Sequence, residues 1–314
     1  MKIQLVYPNP NPTVGLSGRK VESAALQLLA AITPAEHEIS IVQEHLGDTV
    51  RAEEAKEVAK VDLVGITAMT IQATRAYEIA DACRRAGKTV VLGGIHPSVQ
   101  PDEALTHADA VVVGEAEPVW GQVLADTAAG KLRGIYRGQD FADLSVLPNY
   151  RRDLFPKRST FSLGSVQAAR GCPYDCSFCS ATLFAGRKYR FRPVENVIAE
   201  IKSMKTRLIF FLDDNIFSNE AYCRALFTEL KKLNVIWVGQ ASLHLTASNP
   251  DLLALAVQSG CISLFVGIES LSAANLRATG SLAKKGEHTQ GHGQEPSRPT
   301  RPRHRGHDRR DLRV

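Results

Sequence analysis

The sequence predicts an α/β protein with two parallel-stranded domains, an open sheet with crossover helices followed by a partial β/α barrel of four units. Short apolar runs alternate with helical patterns over residues 1–135 and again over 161–280, which is typical of parallel strands joined by helices. Between them, residues 136–160 contain two prolines and an Arg-Arg pair without periodicity, which predicts a linker. A chain of 314 residues has room for two such domains, each with its own core.

The first domain is predicted to contain five strands and at least two helices. The strands are 3–7, 38–42, 62–66, 89–92 and 110–113. Helices are predicted from about Val21 to Ile32 and from Ile71 to Arg85, where apolar residues recur near the helical period. Ligands of open parallel sheets bind in the crevice beyond the carboxyl ends of the strands, so the loops at those ends are the candidate binding loops.

Three such loops have distinctive sequences. They are Thr67-Ala68-Met69-Thr70, Gly93-Gly94-Ile95-His96-Pro97-Ser98 and Gly114-Glu115-Ala116-Glu117. Glycine at these positions lets the backbone approach a flat ligand closely. Because any flavodoxin-like domain can carry a glycine-rich turn, the loops alone leave the ligand open.

Three cysteines, Cys172, Cys176 and Cys179, lie within nine residues at C-x3-C-x2-C spacing. Soft thiolates this close together predict an iron or zinc site. Structural zinc normally has four protein ligands, and no second cysteine pair follows, whereas a [4Fe–4S] cluster held by three cysteines has one iron without a protein ligand. An open metal position is typical of catalysis. A partial zinc site and three unrelated thiols remain the alternatives.

The second domain is predicted to begin with a strand over 165–170, so the cysteine loop lies at its carboxyl end, where active sites of β/α barrels are found. Further strands are predicted over 208–212, 235–242 and 262–268. Helices between them are predicted to start at Pro193 and at Asn249-Pro250, since proline suits a first helical turn and asparagine suits an N-cap.

Acidic residues follow two of these strands. Asp213 and Asp214 end the second strand, and carboxylates there are costly to bury without partners, so they should face a cleft or a ligand. The alternative is a helix N-cap formed by Asp214 or Asn215. Glu269 and Ser270 follow the fourth strand at the same edge, where a surface salt bridge is the alternative for Glu269.

The cysteine spacing, with the aromatic Phe178 before the third cysteine, resembles the motif of the radical S-adenosylmethionine (SAM) enzymes. The glycine loops resemble the Rossmann-like (flavodoxin-like) cobalamin (B12)-binding domain that precedes many of them. The resemblance covers about residues 1–280. It implies that a [4Fe–4S] cluster chelates SAM at its open iron and cleaves it to a 5′-deoxyadenosyl radical. It further implies cobalamin-dependent methyl transfer to an unactivated carbon of a small-molecule, lipid or tetrapyrrole substrate, with a ferredoxin- or flavodoxin-type electron donor.

The same resemblance implies the binding residues. The cluster ligands are Cys172, Cys176 and Cys179, and no further catalytic side chain is implied. Those implied for SAM are Phe178, Asp213, Asp214, Glu269 and Ser270. Those implied for cobalamin are Thr67, Met69, Thr70, Gly93, Gly94, His96, Pro97, Gly114 and Glu115. Many cobalamin domains offer a cobalt-binding histidine after the first strand, but residues 8–15 contain none, so the lower cobalt ligand stays open.

Three alternative functions are retained. A methylthiotransferase would need extra cluster cysteines in its leading domain, where only Cys83 is present. Radical ring formation without methyl transfer would use the same cluster. A non-catalytic cobalamin-binding protein is the third alternative, because four barrel units are found where radical SAM enzymes usually have six.

The composition and the distribution of charge lead to further expectations about localisation, nucleic-acid binding and the basic segment. With 44% hydrophobic residues, no bilayer-length apolar run and no signal peptide, a cytoplasmic protein without a transmembrane segment is expected. The net charge of +5 is confined to residues 281–314, so no nucleic-acid-binding face is expected on the domains. This basic segment is predicted to be disordered and is interpreted as an out-of-frame translation; a basic arm and a histidine metal tract are the alternatives. Cys83, Cys223 and Cys261 are expected to be core thiols.

Overall fold

The computed structural model describes residues 1–9, 20–21, 23–44, 60–154, 162–174, 176–204, 206–272, 275 and 278–279. The predicted basic tail and most of the loop after the first strand lie outside these residues. The strands are β1 Lys2–Tyr7, β2 Lys20–Val21, β3 Glu38–Gln43, β4 Leu63–Thr67, β5 Thr89–Gly93, β6 Ala110–Val113, β7 Gly134–Arg137, β8 Ser162–Val166, β9 Ala169–Arg170, β10 Arg190–Phe191, β11 Leu208–Phe211, β12 Ile236–Ser242 and β13 Cys261–Gly267.

Helices connect most of these strands. They are α1 Ala24–Ile32, α2 Ala73–Arg85, α3 Ile95–Val99, α4 Pro101–His107, α5 Trp120–Ala128, α6 Ala181–Ala185, α7 Val194–Ser203, α8 Glu220–Lys231, α9 Leu243–Ala247 and α10 Pro250–Gln258. In the part of the chain that is described, no helix combines the length and apolarity needed to cross a bilayer.

The first sheet has the strand order β3-β1-β4-β5-β6-β7, and all of its neighbours are parallel. Its five predicted strands are confirmed to within a residue or two. The central strands β4 and β6 are almost wholly buried because helices cover both faces. The sixth strand, β7, has no predicted counterpart and crosses the predicted domain boundary at residue 135. Its side chains are alternately half-buried and exposed, so its apolar pattern is weak.

The second sheet has the order β13-β12-β11-β8-β2, again with parallel neighbours. Its last strand comes from the N-terminal part of the chain, since Lys20 pairs with Ser162. The two sheets are therefore not built from two consecutive stretches of sequence. The predicted first barrel strand over 165–170 is also corrected: it is broken, and β9 turns away to pair antiparallel with β10.

An aromatic cluster forms the centre of the second core. Trp237 is fully buried, meets Phe211 edge to face at 5.4 Å between ring centroids, and stacks on Phe227 at 5.2 Å. Such pairs add to the stabilisation from apolar burial. At the edge of the sheet, β13 exposes Ile262 and Phe265, so this strand presents an apolar, unpaired side among the described residues.

Two helix N-caps are set by asparagine. Asn249 accepts a hydrogen bond from the Leu252 amide, and Pro250 is the first residue of α10, as predicted. Asn219 caps α8 by accepting from the Tyr222 amide. The helix after β11 thus begins well past Asp214, which does not cap it.

The described part of the predicted linker, residues 136–154, packs against both parts of the structure. Leu144, Leu147 and Tyr150 are buried with Leu28 of α1 in a small core of their own. The Arg151 amide also donates to the Gln27 carbonyl at 3.2 Å. Leu212, directly after β11, packs against the same core, so this segment contacts elements of both sheets.

Candidate functional site

The three glycine-containing loops at the carboxyl edge of the first sheet are joined to one another by hydrogen bonds. The Ala68 amide donates to the Gly93 carbonyl at 3.0 Å. The Ser98 hydroxyl donates to the Gly94 carbonyl at 2.6 Å and accepts from the Gly114 amide at 2.9 Å. Ser98 therefore fixes the second loop against the third.

Close packing accounts for glycine at position 94. Its φ is +93°, and a β-carbon would stand 2.6 Å from the Thr67 hydroxyl oxygen and 2.9 Å from the Ala68 amide nitrogen. At Gly114, where φ is +81°, a β-carbon would meet no atom within 4 Å. The backbone at Gly114 thus has free space beside it, which suits the close approach of a flat ligand.

A cavity of about 320 Å³ lies where these loops face the second sheet. Its lining is mostly apolar. The lining residues come from α1, the glycine loops, the linker and the segments around β9 and β11. They include Ala24, Leu26, Leu29, Thr67, Gly93, Gly94, Ser98, Gly114, Glu115, Trp120, Tyr150, Gln167, Arg170, Phe184 and Leu212. Five of the residues predicted to bind cobalamin are among them, namely Thr67, Gly93, Gly94, Gly114 and Glu115. Met69, Thr70, His96 and Pro97 do not line the cavity.

His96 turns away from the cavity. Its side chain is buried, with Nε2 2.9 Å from the Tyr77 hydroxyl and 3.5 Å from a Glu103 carboxylate oxygen. The His96 imidazole therefore connects the second glycine loop to α2 and α4, on the side away from the cavity. Sequence position alone does not reveal this orientation, and a role of His96 in cobalamin binding stays a prediction.

Glu115 joins the third glycine loop of the first sheet to the antiparallel pair β9–β10. It pairs with Arg190 at 2.6 Å and Arg170 at 3.1 Å, and it accepts from the Ala142 amide at 2.7 Å. Burial would raise the pKa of Glu115, but Arg190, Arg170 and the amide together hold it below its ordinary value. Glu117 binds Arg170 at 2.7 Å. The two arginines were missed in the sequence because these pairs are remote along the chain.

The cysteine loop begins directly after Arg170. The Cys172 amide donates to the Gly186 carbonyl at 3.1 Å, and the Cys179 amide donates to the Cys176 carbonyl at 3.0 Å. Cys179 is exposed, and Cys172 and Cys176 are half-buried. Burial raises the pKa of the Cys172 thiol, while the Tyr174 amide and the Tyr189 hydroxyl act against the rise.

The three cysteines of the loop suit an iron–sulfur cluster. Within the described ranges, no three His, Cys, Asp or Glu side chains form a group that could hold one metal ion. In a four-iron cluster each thiolate binds a different iron, so three thiolates from one loop can hold three of the irons and leave the fourth open.

The two aspartates after β11 differ in role. Asp213 is buried, and its two oxygens accept hydrogen bonds from the amides of Ala168 at 2.9 Å and Ala169 at 2.5 Å. Asp213 therefore stabilises the turn between β8 and β9. This differs from the expectation that its carboxylate faces a cleft. Asp214 is exposed, and its charge adds to the rise in the pKa of Cys172, which burial chiefly causes.

The remaining predicted SAM-binding residues are exposed or half-buried. Phe178, within the cysteine loop, is 53% exposed, and Ser270 is half-buried. Glu269 is exposed with φ +64°, an unusual conformation for a residue other than glycine. The Ser270 amide donates to the Ile268 carbonyl at 2.8 Å.

Of the cysteines outside the cysteine loop, Cys83 and Cys223 are buried as expected, whereas Cys261 is half-buried on the edge strand β13.

Comparison with known proteins assigns each of the two parts of the chain to a known family. Residues 12–124 match the family model of the B12 binding domain, and residues 166–287 match that of the Radical SAM superfamily. The chain belongs to the radical SAM proteins that carry a B12-binding domain. The predicted family and fold class are thereby confirmed.

Relatives of this radical SAM protein include named methyltransferases. Bacteriochlorophyllide d C-8(2)-methyltransferase of Chlorobaculum tepidum is 34% identical over 271 residues, which is 81% of this chain and 59% of that protein. Hopanoid C-2 methylase of Rhodopseudomonas palustris is 29% identical over 270 residues, 81% of this chain and 49% of that protein. The chain thus spans 59% and 49% of the length of these two relatives.

A solved structure has the same fold. The radical SAM methyltransferase TsrM from Kitasatospora setae, with cobalamin and a [4Fe-4S] cluster bound, superposes with a TM-score of 0.68 at 18% identity. The match covers 88% of this chain and 62% of that chain. At this level of identity the likeness supports the architecture alone.

Proposed function

We propose that this radical SAM protein binds a [4Fe–4S] cluster, SAM and cobalamin, and transfers a methyl group to an unactivated carbon. The observation that carries the proposal is the shared cavity: the glycine loops line one side of it, and Gln167 and Arg170, at the stem of the cysteine loop, line the other. Reacting groups must be held close together for a transfer between them. A cavity lined by the glycine loops and by residues that directly precede the cysteine loop supports such an arrangement.

The cysteine loop supplies the cluster ligands in this proposal, Cys172, Cys176 and Cys179. The cluster, when bound, supplies the electron that cleaves SAM. Phe178 within this loop and Asp214 after β11 are proposed to bind SAM, together with Glu269 and Ser270, which follow β13. Asp213 is left out of this set, because both of its oxygens already accept backbone hydrogen bonds.

The glycine loops supply the cobalamin site in this proposal. Thr67, Gly93, Gly94 and Gly114 present backbone and small side chains to the cavity, and the apolar wall from α1 limits the entry of water. Cobalamin, when bound, supplies the methyl carrier. Glu115 holds this loop against the cysteine-loop stem through its arginine pairs.

The substrate class is proposed from the relatives. The two named relatives act on a bacteriochlorophyllide and on hopanoids, which are both large and largely apolar. We propose a tetrapyrrole or polycyclic lipid substrate, and a ferredoxin- or flavodoxin-type protein as electron donor. The cobalamin domain is proposed to extend to Arg137, the end of β7.

Anaerobic turnover tests the proposal. The protein is reconstituted with iron, sulfide and hydroxocobalamin, and then supplied with reductant, trideuteromethyl-SAM and bacteriochlorophyllide or hopanoid acceptors. We expect release of 5′-deoxyadenosine and a product that carries the deuterated methyl group. Release without label in the product would instead indicate ring formation or another radical reaction. Cobalamin uptake without any 5′-deoxyadenosine would indicate a non-catalytic binding protein.

The Gly94→Ala variant tests the cobalamin loop. The added methyl group would collide with Thr67 and the Ala68 amide, so the loop must move and lose its fit to the ligand. We expect cobalamin affinity, measured by equilibrium dialysis, to fall by about tenfold or more, equivalent to roughly 1.4 kcal/mol of lost binding free energy. Gly121→Ala in α5 is the matched control, because its β-carbon would meet nothing within 4 Å. Equal affinity in the two variants would contradict this account of the loop.

A further inference from the structure

Tyr189 lies next to the first cysteine of the loop. It is half-buried and immediately precedes β10. Its hydroxyl oxygen stands 3.9 Å from the sulfur of Cys172, at the outer limit for a hydrogen bond to sulfur. The ring is held by Phe191, whose centroid is 6.0 Å away and which in turn packs on Tyr222 at 4.5 Å.

Asn215 determines which atoms the Tyr189 hydroxyl can bind. The Oδ1 atom of Asn215 accepts from the amides of Phe217 and Ser242, each at 3.3 Å. Two backbone donors at this oxygen fix the orientation of the side-chain amide, since its nitrogen could not accept from them. The amide nitrogen therefore donates to the Ser242 hydroxyl at 3.2 Å and to the Tyr189 oxygen at 3.3 Å.

The hydroxyl proton of Tyr189 is consequently directed away from Asn215. A phenol has one proton to donate, and the neighbour on its other side is the sulfur of Cys172. Asn215 comes from the loop after β11 and Ser242 ends β12, so three separate segments fix the direction of this one proton. None of these residues was singled out in the sequence as acting on the cluster.

We propose that Tyr189 is a positioning residue that donates a hydrogen bond to the Cys172 thiolate and thereby raises the reduction potential of the bound cluster. The inference rests on the proposed function in that Cys172 is taken as a cluster ligand. Reduction adds negative charge that is shared with the ligand sulfurs, and a hydrogen bond to such a sulfur stabilises the more negative state. Outer-shell donors of this kind also fix the orientation of the ligand.

The test is a redox titration of the reconstituted full chain, followed by the EPR signal of the reduced cluster. At the midpoint potential of the wild type, we expect the reduced-to-oxidised ratio in Tyr189→Phe to fall by about tenfold, a shift of about 59 mV for one electron. In Asn215→Ala the hydroxyl is free to turn, so we expect a smaller shift in the same direction.

Tyr222→Phe is the matched control. The Tyr222 hydroxyl belongs to the same aromatic cluster but donates to the carbonyls of Arg192 at 2.8 Å and Ala168 at 3.3 Å. Its loss should leave the cluster potential unchanged. A ratio in Tyr189→Phe equal to that in Tyr222→Phe would overturn the inference while leaving the proposed function intact.

Two further outcomes are also decisive. If Tyr189→Phe loses its iron, the cluster potential of Asn215→Ala is measured in its place. A wild-type potential in Asn215→Ala would then overturn the inference. If the wild type itself retains no iron or releases no 5′-deoxyadenosine, the proposed function fails, and this inference fails with it.

Discussion

We expect Cys176→Ala to abolish cluster retention and the release of 5′-deoxyadenosine. The remaining two thiolates cannot hold a cubane that requires three. Since loss of an outer-shell partner already costs about 10–100-fold in metal affinity or activity, loss of a ligand should cost on the order of 10³-fold or more. Iron and sulfide content, with product chromatography, measures both effects.

Cys261→Ala provides the control for this experiment. Its thiol is half-buried on β13, with the Ser263 carbonyl 3.8 Å from its sulfur. The variant should retain the iron content and activity of the wild type. Full iron content in Cys176→Ala, or an equal loss in both variants, would contradict the assignment of the cysteine loop as the cluster site.

Glu200→Gln should produce the largest loss of stability. Glu200 is fully buried in α7 and pairs with Arg192 at 2.6 Å and with Arg152. Both guanidinium groups lie near the Tyr150 ring, at 4.8 and 5.3 Å from its centroid. Removing the charge takes the carboxylate away from Arg192, whose side chain is only 1% exposed, and weakens the hold on Arg152. Breaking a buried ion pair in this way costs about 3–5 kcal/mol.

Urea unfolding, followed by circular dichroism, measures this loss. The control is Glu220→Gln, which removes an exposed pair with Arg224 within one helix. Surface pairs of this kind contribute about 0.3–0.5 kcal/mol. Similar unfolding free energies for the two variants would show that the Glu200 cluster does not hold the linker to the second sheet.

The pattern of the sequence was sufficient for most of both sheets. Buried parallel strands such as β4 and β6 are continuous apolar runs, and such runs are easily recognised. The strand β7 was missed because half of its side chains face solvent. The two residues of β2 carry no periodic signal at all, and only pairing with β8 makes them a strand.

The site was predictable where local spacing determines the chemistry. The three cysteines and the glycine loops were found because their residues are close together in sequence. Side-chain direction was not predictable: His96 belongs to the second glycine loop, yet its imidazole binds Tyr77 behind that loop. Asp213 and Asp214 are adjacent, yet Asp213 is buried and accepts two backbone hydrogen bonds, whereas Asp214 is exposed.

Contacts between segments that are distant along the chain could not be predicted from the sequence. Glu115 is 75 residues from its partner Arg190, and no local pattern pairs them. The same applies to Asn215 and Tyr189, which are 26 residues apart and come from different loops. The Glu115–Arg190 pair joins the third glycine loop to β10, and the Asn215–Tyr189 contact joins the loop after β11 to the residue before β10.

The most direct test of the account is the EPR spectrum of the anaerobically reconstituted, reduced protein before and after addition of SAM. The account predicts a reduced iron–sulfur signal that changes when SAM binds, because three cysteines leave one iron open to the added ligand. A signal that SAM leaves unchanged, or a protein that takes up zinc in preference to iron, would contradict it.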